Sequence, residues 1–301
     1  AEGVEIEQHL DFLRGEGFPN GFSTYVRDAA TITSWDGSAA DNNLVSFFTR
    51  ANYSFLDRYL LSASLRADGS SRFGSSNRYG VFPALSAGWV LTDESFAQGL
   101  QRFATLKLRG SFGMTGNQGI GDYARLTLAT GTPYSGIAGV SGYQLGNPNL
   151  KWESTKEFDF GADISTLGGR VGIIADYYNR NTTNLLVERP IPATSGYESV
   201  WDNIGAIKNA GVDLGLHTVN VQSKRFGWNS DLNVTWNRNK ITDLYGGQPI
   251  SYTVSSRVTS IVAVGHPLGE FYLYKFLRVD PATGNAVFAT ANGGESMDPT
   301  S

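Results

Sequence analysis

The feature that most constrains this chain is a strict alternation of apolar and polar residues, sustained over segments too long for ordinary sheets. Between positions 226 and 237, Phe226, Trp228, Ser230, Leu232, Val234 and Trp236 alternate with Gly227, Asn229, Asp231, Asn233, Thr235 and Asn237. A period of two places the first set on one face of a strand and the wholly polar second set on the other. Leu106, Leu108, Gly110, Phe112 and Met114 stand in the same way against Lys107, Arg109, Ser111 and Thr115. Val45, Phe47, Thr49, Ala51, Tyr53 and Phe55 oppose Ser46, Arg50, Asn52 and Ser54. After the turn Leu56-Asp57-Arg58, alternation resumes with Tyr59, Leu61, Ala63 and Leu65 against Ser62, Ser64 and Arg66. Further strands are expected at 79–91, 150–164, 170–182 and 208–219.

These strands run to about 10–14 residues, whereas soluble sheets favour ~5–6. A bilayer-crossing strand needs about 9–11. The connections alternate in length: 56–58, 165–169 and 220–225 are short, with 92–104 the exception on that side, while 15–43, 68–78, 116–149, 183–207 and everything after 238 are long. Short turns at one rim and long loops at the other are the layout of bacterial outer-membrane barrels, with the short turns in the periplasm. Within the 116–149 loop, a piece at about 123–130 is expected to extend the wall. In the 92–104 link, Thr92-Asp93-Glu94-Ser95 reads as a helix N-cap with early acidic residues, predicting one helical turn on the periplasmic rim. Phe55, Tyr59 and Trp89 fall at strand ends, where a girdle of interfacial aromatics belongs.

Composition bounds the chemistry. The 301 residues contain no cysteine, which removes disulfides and thiolate metal sites. A net charge of -4 with no basic cluster gives no reason to expect nucleic acid. No stretch approaches the roughly 18 apolar residues of a membrane-spanning helix, and Ala1-Glu2-Gly3-Val4-Glu5 shows no signal-peptide pattern. Composition alone leaves a soluble β protein and an outer-membrane barrel both open.

Glu153, Glu157, Asp159 and Asp163 share one strand face, a pattern that paired-carboxylate glycoside hydrolysis would also produce. On the water-filled side of a wide barrel, opposite Trp152, Phe158, Phe160 and Ala162, carboxylates need no catalytic purpose. The expectation is therefore no enzyme. His9, His217 and His266 show no metal-ligand spacing, and no metal or cofactor is expected. Gly116, Gly119 and Gly121 do not form a phosphate-binding fingerprint. Recognition is expected in the long loops, where aromatics lie among polar residues: Tyr123, Tyr134 and Tyr143 in 116–149, and Tyr197 and Trp201 in 183–207. A ring stacks on the apolar face of a sugar or peptide while its neighbours take hydrogen bonds. Packing of each ring inside its own loop is the competing role.

Several strings resemble the SusC/RagA family of TonB-dependent outer-membrane transporters. They include Asp57-Arg58-Tyr59-Leu60-Leu61, Leu65 through Gly74 (LRADGSSRFG), Phe82 through Trp89 (FPALSAGW), and Gly116-Asn117-Gln118 with Ile120-Gly121-Asp122-Tyr123. Asn147 through Glu153 (NPNLKWE), Asp176-Tyr177-Tyr178-Asn179, Asn209 through Leu214 (NAGVDL) and Trp236 through Ile241 (WNRNKI) follow in the family order. Gly265 through Tyr272 (GHPLGEFY) and Val279 through Gly284 (VDPATG) complete the set, which spans about 12–284.

The resemblance implies an all-β, antiparallel transmembrane barrel of about 22 strands, closed by an N-terminal plug. It further implies a SusD-like surface lipoprotein as lid, energy from the TonB complex acting through the plug, and glycan or peptide fragments as ligands. About nine of the strands are present. The plug, the TonB-contact segment and the first and last strands are not in the sequence, the tail from Ala291 departs from the family, and Pro299-Thr300-Ser301 is not an aromatic barrel terminus. The chain is thus expected to be an internal barrel segment in the outer membrane of a Bacteroidetes-type bacterium, with 238–301 as a long extracellular loop region. A passive barrel without TonB coupling and a soluble carbohydrate-binding β protein are the alternatives.

Overall fold

A computed structural model of the chain describes residues 2–16, 31–132, 134–197, 199–255, 258–290 and 292–297. Its frame is one nine-stranded antiparallel sheet in simple sequential order. The strands are β1 (Glu2–Glu16), β2 (Thr31–Phe55), β3 (Tyr59–Ser70), β4 (Tyr79–Val90), β5 (Ala104–Asn117), β6 (Glu153–Thr166), β7 (Val171–Thr183), β8 (Ala206–Gln222) and β9 (Gly227–Asp243). Sequential neighbours pair throughout, so every connection is a hairpin in topology, as in an up-and-down barrel wall. β1 and β9 stand at the two ends of the strand order, so the described residues form an open wall.

The cross-strand register turns the local alternation into two continuous faces. Trp236 lies opposite Val212, which lies opposite Tyr177, then Phe160 and Gly110. Leu232 is matched with Leu216 and Ile173. Phe158 pairs with Phe112, Phe112 with Leu85, Leu85 with Ala63 and Ala63 with Ala51. Trp89, Tyr59 and Phe55 form the same kind of row at the short-turn end. Because directly opposed residues share a face, one side of the sheet is aliphatic and aromatic from β2 to β9. Its large side chains are open: Phe160 and Trp236 are each 61% exposed. Such a patch on a water-soluble monomer would far exceed the few hundred Å² usually tolerated. The other side carries Arg50, Ser62, Ser86, Arg109, Asp159, Asp176, Asp213 and Asn233 at the equivalent positions.

Several expectations change. The 15–43 stretch is not one long loop: β2 begins at Thr31, and its first part pairs with β1 from Glu16↔Thr31 to Glu2↔Ser46. Segment 31–44 is mostly small and polar, with Asp36, Asp41, Asn42 and Asn43, and lacks alternation, so only the partner strand identifies it; residues 17–30 lie outside the described residues. The 123–130 piece does not extend the wall, because Leu128–Gly131 pairs with Val140–Gln144 as a separate hairpin. β6 starts at Glu153 rather than 150, and Leu150 and Trp152 turn into a packed loop core. β9 continues to Asp243, beyond the expected boundary at 238, and short strands from Ile250–Ser255 to Glu295–Ser296 follow it. At its loop end the free edge of β9 is covered: Ile241 N–H donates to His266 O at 2.9 Å, and Gly265 N–H to Ile241 O at 2.8 Å. Ile241 is buried there.

The 91–103 link holds 3-10 turns at Leu91–Asp93 and Ser95–Ala97 and a single α turn, Gln98–Gln101. The helical turn is present, but no side chain caps it. Thr92 is instead buried, with its hydroxyl accepting from Leu106 N–H at 3.2 Å. Glu94 reaches the adjacent turn, receiving Arg58 Nη1 at 3.1 Å, Trp89 Nε1 at 3.0 Å and the Tyr59 hydroxyl. The rim aromatics therefore keep their rings on the apolar face and spend their polar atoms on one carboxylate. The Tyr59 hydrogen bond, then that of Trp89, then the charge of Arg58, hold the Glu94 carboxyl below its usual range. A group whose folded pKa is depressed adds stability above the unfolded pKa and loses it as pH falls through the folded one. Hydrogen exchange of the 91–103 link is expected to accelerate on acidification through that window. Glu94→Gln should exchange fast at neutral pH and show little further change; an unaltered pH profile in that variant would refute the role.

Candidate ligand-contact surface and loop collar

The long connections are knit into a collar above the sheet. Its centre is Phe73, Phe82, Ile120, Ala124, Leu150 and Trp152, with Leu44, Met114, Leu186 and Trp201 packed against them. Phe73 and Leu150 are fully buried. The Phe73 and Trp152 rings lie 5.1 Å apart, and Phe82 meets Trp152 edge-on at 5.5 Å. β4 and β5 pair only from Ala84↔Gly113 to Val90↔Lys107. Above that, Phe82 fills the space beside Gly116, where a β-carbon would sit 2.1 Å from the ring. Gly74 is equally constrained, since a β-carbon there would stand 2.4 Å from Pro148 O.

Polar contacts brace the same core. Arg72 binds Asp122 at 2.8 Å and Gln118 O at 3.1 Å, and Arg125 reaches Ser71 O. Trp152 Nε1 donates to Arg78 O at 2.9 Å. Asn147 donates to Trp201 O, and Asn203 joins Lys151 O to Asn184 O. The strings LRADGSSRFG, GNQ, IGDY and NPNLKWE are thus largely the joinery of this collar. Glycine permits close approach, and Asn or Arg side chains satisfy loop carbonyls that have no strand partner.

The five candidate aromatics fall into two groups. Tyr123 exchanges hydrogen bonds with Asp41, its hydroxyl donating to the carboxylate and accepting Asp41 N–H at 3.1 Å. Trp201 packs on the buried core. These two tie loops together. Tyr134 and Tyr143 stand open, at 83% and 68% exposure, on or beside the 128–144 hairpin. Tyr197 reaches that hairpin from the next loop, since a β-carbon on Gly142 would lie 2.6 Å from its ring. A parallel bridge between Leu145 and Val200 docks the two loops. The structure therefore brings Tyr134, Tyr143 and Tyr197 to one docked pair of loops.

The polar face is ordered by charge pairs between strands. Arg109 Nε donates to Asp163 at 3.0 Å and its Nη2 to Asp176 at 3.1 Å. Arg180 grips Glu157 with two bonds of 2.9 Å, the bidentate geometry that favours Arg over Lys. Glu153 is spent at the collar, accepting Asn117 Nδ2 and Leu186 N–H, both at 3.2 Å. Three of the four aligned carboxylates are therefore engaged. Alternation could have put Arg109, Asp163 and Asp176 on one face; which of them meet depends on register across β5, β6 and β7. His217 and His266 pair with Asp231 and Glu270 at 2.6 and 2.7 Å, while the side chain of His9 lies outside the described residues. Among the described residues no cluster has the composition of a metal site.

An open wall of long antiparallel strands, apolar on one face, ion-paired on the other and collared at one end, is the wall of an outer-membrane-type β-barrel. The chain matches the family described as "TonB dependent receptor-like, beta-barrel" over residues 5–299. It belongs to that family. It is 38% identical over 242 residues to TonB-dependent receptor P26 of Formosa agariphila, covering 78% of this chain and 24% of the relative. It is 34% identical to TonB-dependent receptor SusC of Bacteroides thetaiotaomicron, covering 97% of this chain and 31% of that protein. Among solved structures, the RagAB peptide transporter superposes with a TM-score of 0.86 at 29% identity, over 98% of this chain and 33% of that one. The expected SusC/RagA kinship and the barrel-segment fold are thereby established. The chain spans about a third or less of the length of these relatives.

Proposed function

We infer that this chain forms part of the wall of a TonB-dependent importer in the outer membrane, and that the importer takes up nutrient oligomers such as glycan or peptide fragments. The observation that carries this reading is the two-faced wall itself: eight consecutive strands, β2 to β9, share one apolar face, backed by a polar face and gathered under a collar at a single end. A closed barrel is the only sheet architecture whose backbone is satisfied in hydrocarbon. The open edge of β9 fits a place beside further strands. A plug inside the barrel would couple it to the TonB complex, and a SusD-like surface lipoprotein would cover the collar. The likeness to TonB-dependent receptor SusC supports TonB-dependent import, and the likeness to the RagAB peptide transporter supports peptide fragments as one ligand class; the glycan class rests on the family resemblance of the sequence.

Tyr134, Tyr143 and Tyr197 are the collar's best-placed ligand contacts, because they are gathered on docked loops and two of them stand open. Tyr123 and Trp201 would act behind them by holding the loops. The test is growth of the host on oligosaccharide or peptide pools, with the receptor gene intact, deleted, or carrying Tyr134→Ala/Tyr143→Ala. Deletion should abolish growth on one oligomer class and spare growth on its monomers. The double variant should raise the ligand concentration needed by about three- to tenfold, the range of a lost aromatic contact. Equal growth of the deletion strain on both pools and their monomers would overturn the transport reading; an unshifted double variant would remove these rings from the binding site.

A further inference from the structure

The short-turn rim is not uniform in charge. At the turn between β2 and β3, Arg58 is neutralised by Glu94. Four strands further along, the turns 167–170 and 223–226 carry Arg170, Lys224 and Arg225. No acidic residue occurs anywhere in 164–175 or 214–230. The two turns are locked together: Val219 N–H donates to Arg170 O at 2.7 Å, and the Arg170 side chain donates back to Val219 O and Asn220 O at 2.8–3.1 Å. Lys224 and Arg225 sit in a tight reverse turn closed by Ser223 N–H to Phe226 O at 2.9 Å. Both are exposed and carry no ion pair among the described residues. Directly beside them the apolar face begins, with Leu167, Phe226 and Trp228 open at 69%, 60% and 55%.

Cations at the border of an exposed aromatic surface match the profile of a bilayer interface, where rings lie at headgroup depth and charges meet phosphate. Resting on the membrane reading above, we propose that this rim holds the phosphate headgroups of anionic phospholipid, of the phosphatidylglycerol class. Its occupant follows from charge complementarity and from continuity with the apolar face: a soluble anion would satisfy the cations but not the adjoining rings. Lys224 and Arg225 contact phosphate. Arg170 keeps the two turns in register, since its guanidinium is spent on carbonyls.

The experiment is native mass spectrometry of the full-length receptor, after reconstitution in nanodiscs of phosphatidylglycerol or phosphatidylcholine. Titration of each lipid should show a preference for phosphatidylglycerol that weakens with salt. Lys224→Gln/Arg225→Gln should lower the affinity for phosphatidylglycerol about tenfold or more, at roughly one charge contact per residue, and leave phosphatidylcholine unchanged. Lys224→Arg/Arg225→Lys should restore the preference. Equal affinity for the two lipids in the parent receptor, or an unchanged preference in the Gln variant, would overturn the proposal while leaving the membrane reading intact. Competition by millimolar inorganic phosphate would reassign the site to a free anion and overturn it too. A receptor that enters neither bilayer would defeat the membrane reading itself.

Discussion

Phe73→Ala is expected to cost the collar about 3–5 kcal/mol, the range for truncating a fully buried aromatic. Phe73 has no exposed surface and lies against Trp152 at the centre of the cluster that also holds Leu150 and Ile120. Loops 71–78 and 118–152 have few backbone ladders of their own, so side-chain packing supplies their order. The loss should therefore appear as local opening rather than collapse of the wall. Hydrogen exchange around Ile120–Ala124 should speed up by two to three orders of magnitude on the order of that energy, while β3, β4 and β6 keep their protection. Tyr134→Ala, at an open position, should stay within about 0.5 kcal/mol. Unchanged exchange in Phe73→Ala would mean the collar is held by its polar braces instead. Loss of protection throughout β3–β6 would mean that collar and wall are one cooperative unit.

Leu232→Arg should cost about 2–4 kcal/mol in a bilayer, because Leu232 lies midway between Trp228 and Trp236 on the apolar face. Its register partners there are Leu216 and, one strand on, Ile173. Asn233→Arg, one residue away on the polar face, should be nearly neutral. Solvent exposure does not distinguish the two sites, since both side chains are open. In water each substitution would be an ordinary surface change of about 0.5 kcal/mol or less. A large asymmetry therefore reports hydrocarbon on one side, and its absence would contradict the barrel orientation. Urea unfolding of the full-length receptor in phospholipid vesicles measures it. Cysteine labelling adds a second readout, because the 301 residues carry no native cysteine. A membrane-impermeant thiol reagent should modify cysteines placed at 229, 231 and 233 and spare those at 228, 232 and 236.

The wall was legible because a strand writes its two faces into its own sequence, and a long run such as Phe226 to Asn237 needs no neighbour to declare itself. The tight turns 56–58, 167–170 and 223–226 were legible for the same reason, since they are read directly between such runs, whereas the 15–43 loop was not. Segment 31–44 was not, as its hydrogen-bond partners sit in β1 and its side chains carry no period. The string Thr92-Asp93-Glu94-Ser95 reads as a helix N-cap with early acidic residues; the closeness of Arg58, Tyr59 and Trp89, set by the pairing of β3 with β4, gives Glu94 another role. Among the five loop aromatics, composition could nominate each one but could not separate Tyr123 and Trp201, which lock loops, from Tyr134 and Tyr143, which stand free.

By itself, then, the sequence determined strand type and the facing of β2 to β9, which residues a few positions apart encode, and membership in a family, which its motifs carry in order along the chain. Only the tertiary structure decided which carboxylate meets which arginine, which rings are buried, and where the collar closes. Those outcomes depend on register and loop docking between residues 23 to 82 positions apart, such as Arg180 with Glu157 and Tyr123 with Asp41, and no local periodicity carries that information.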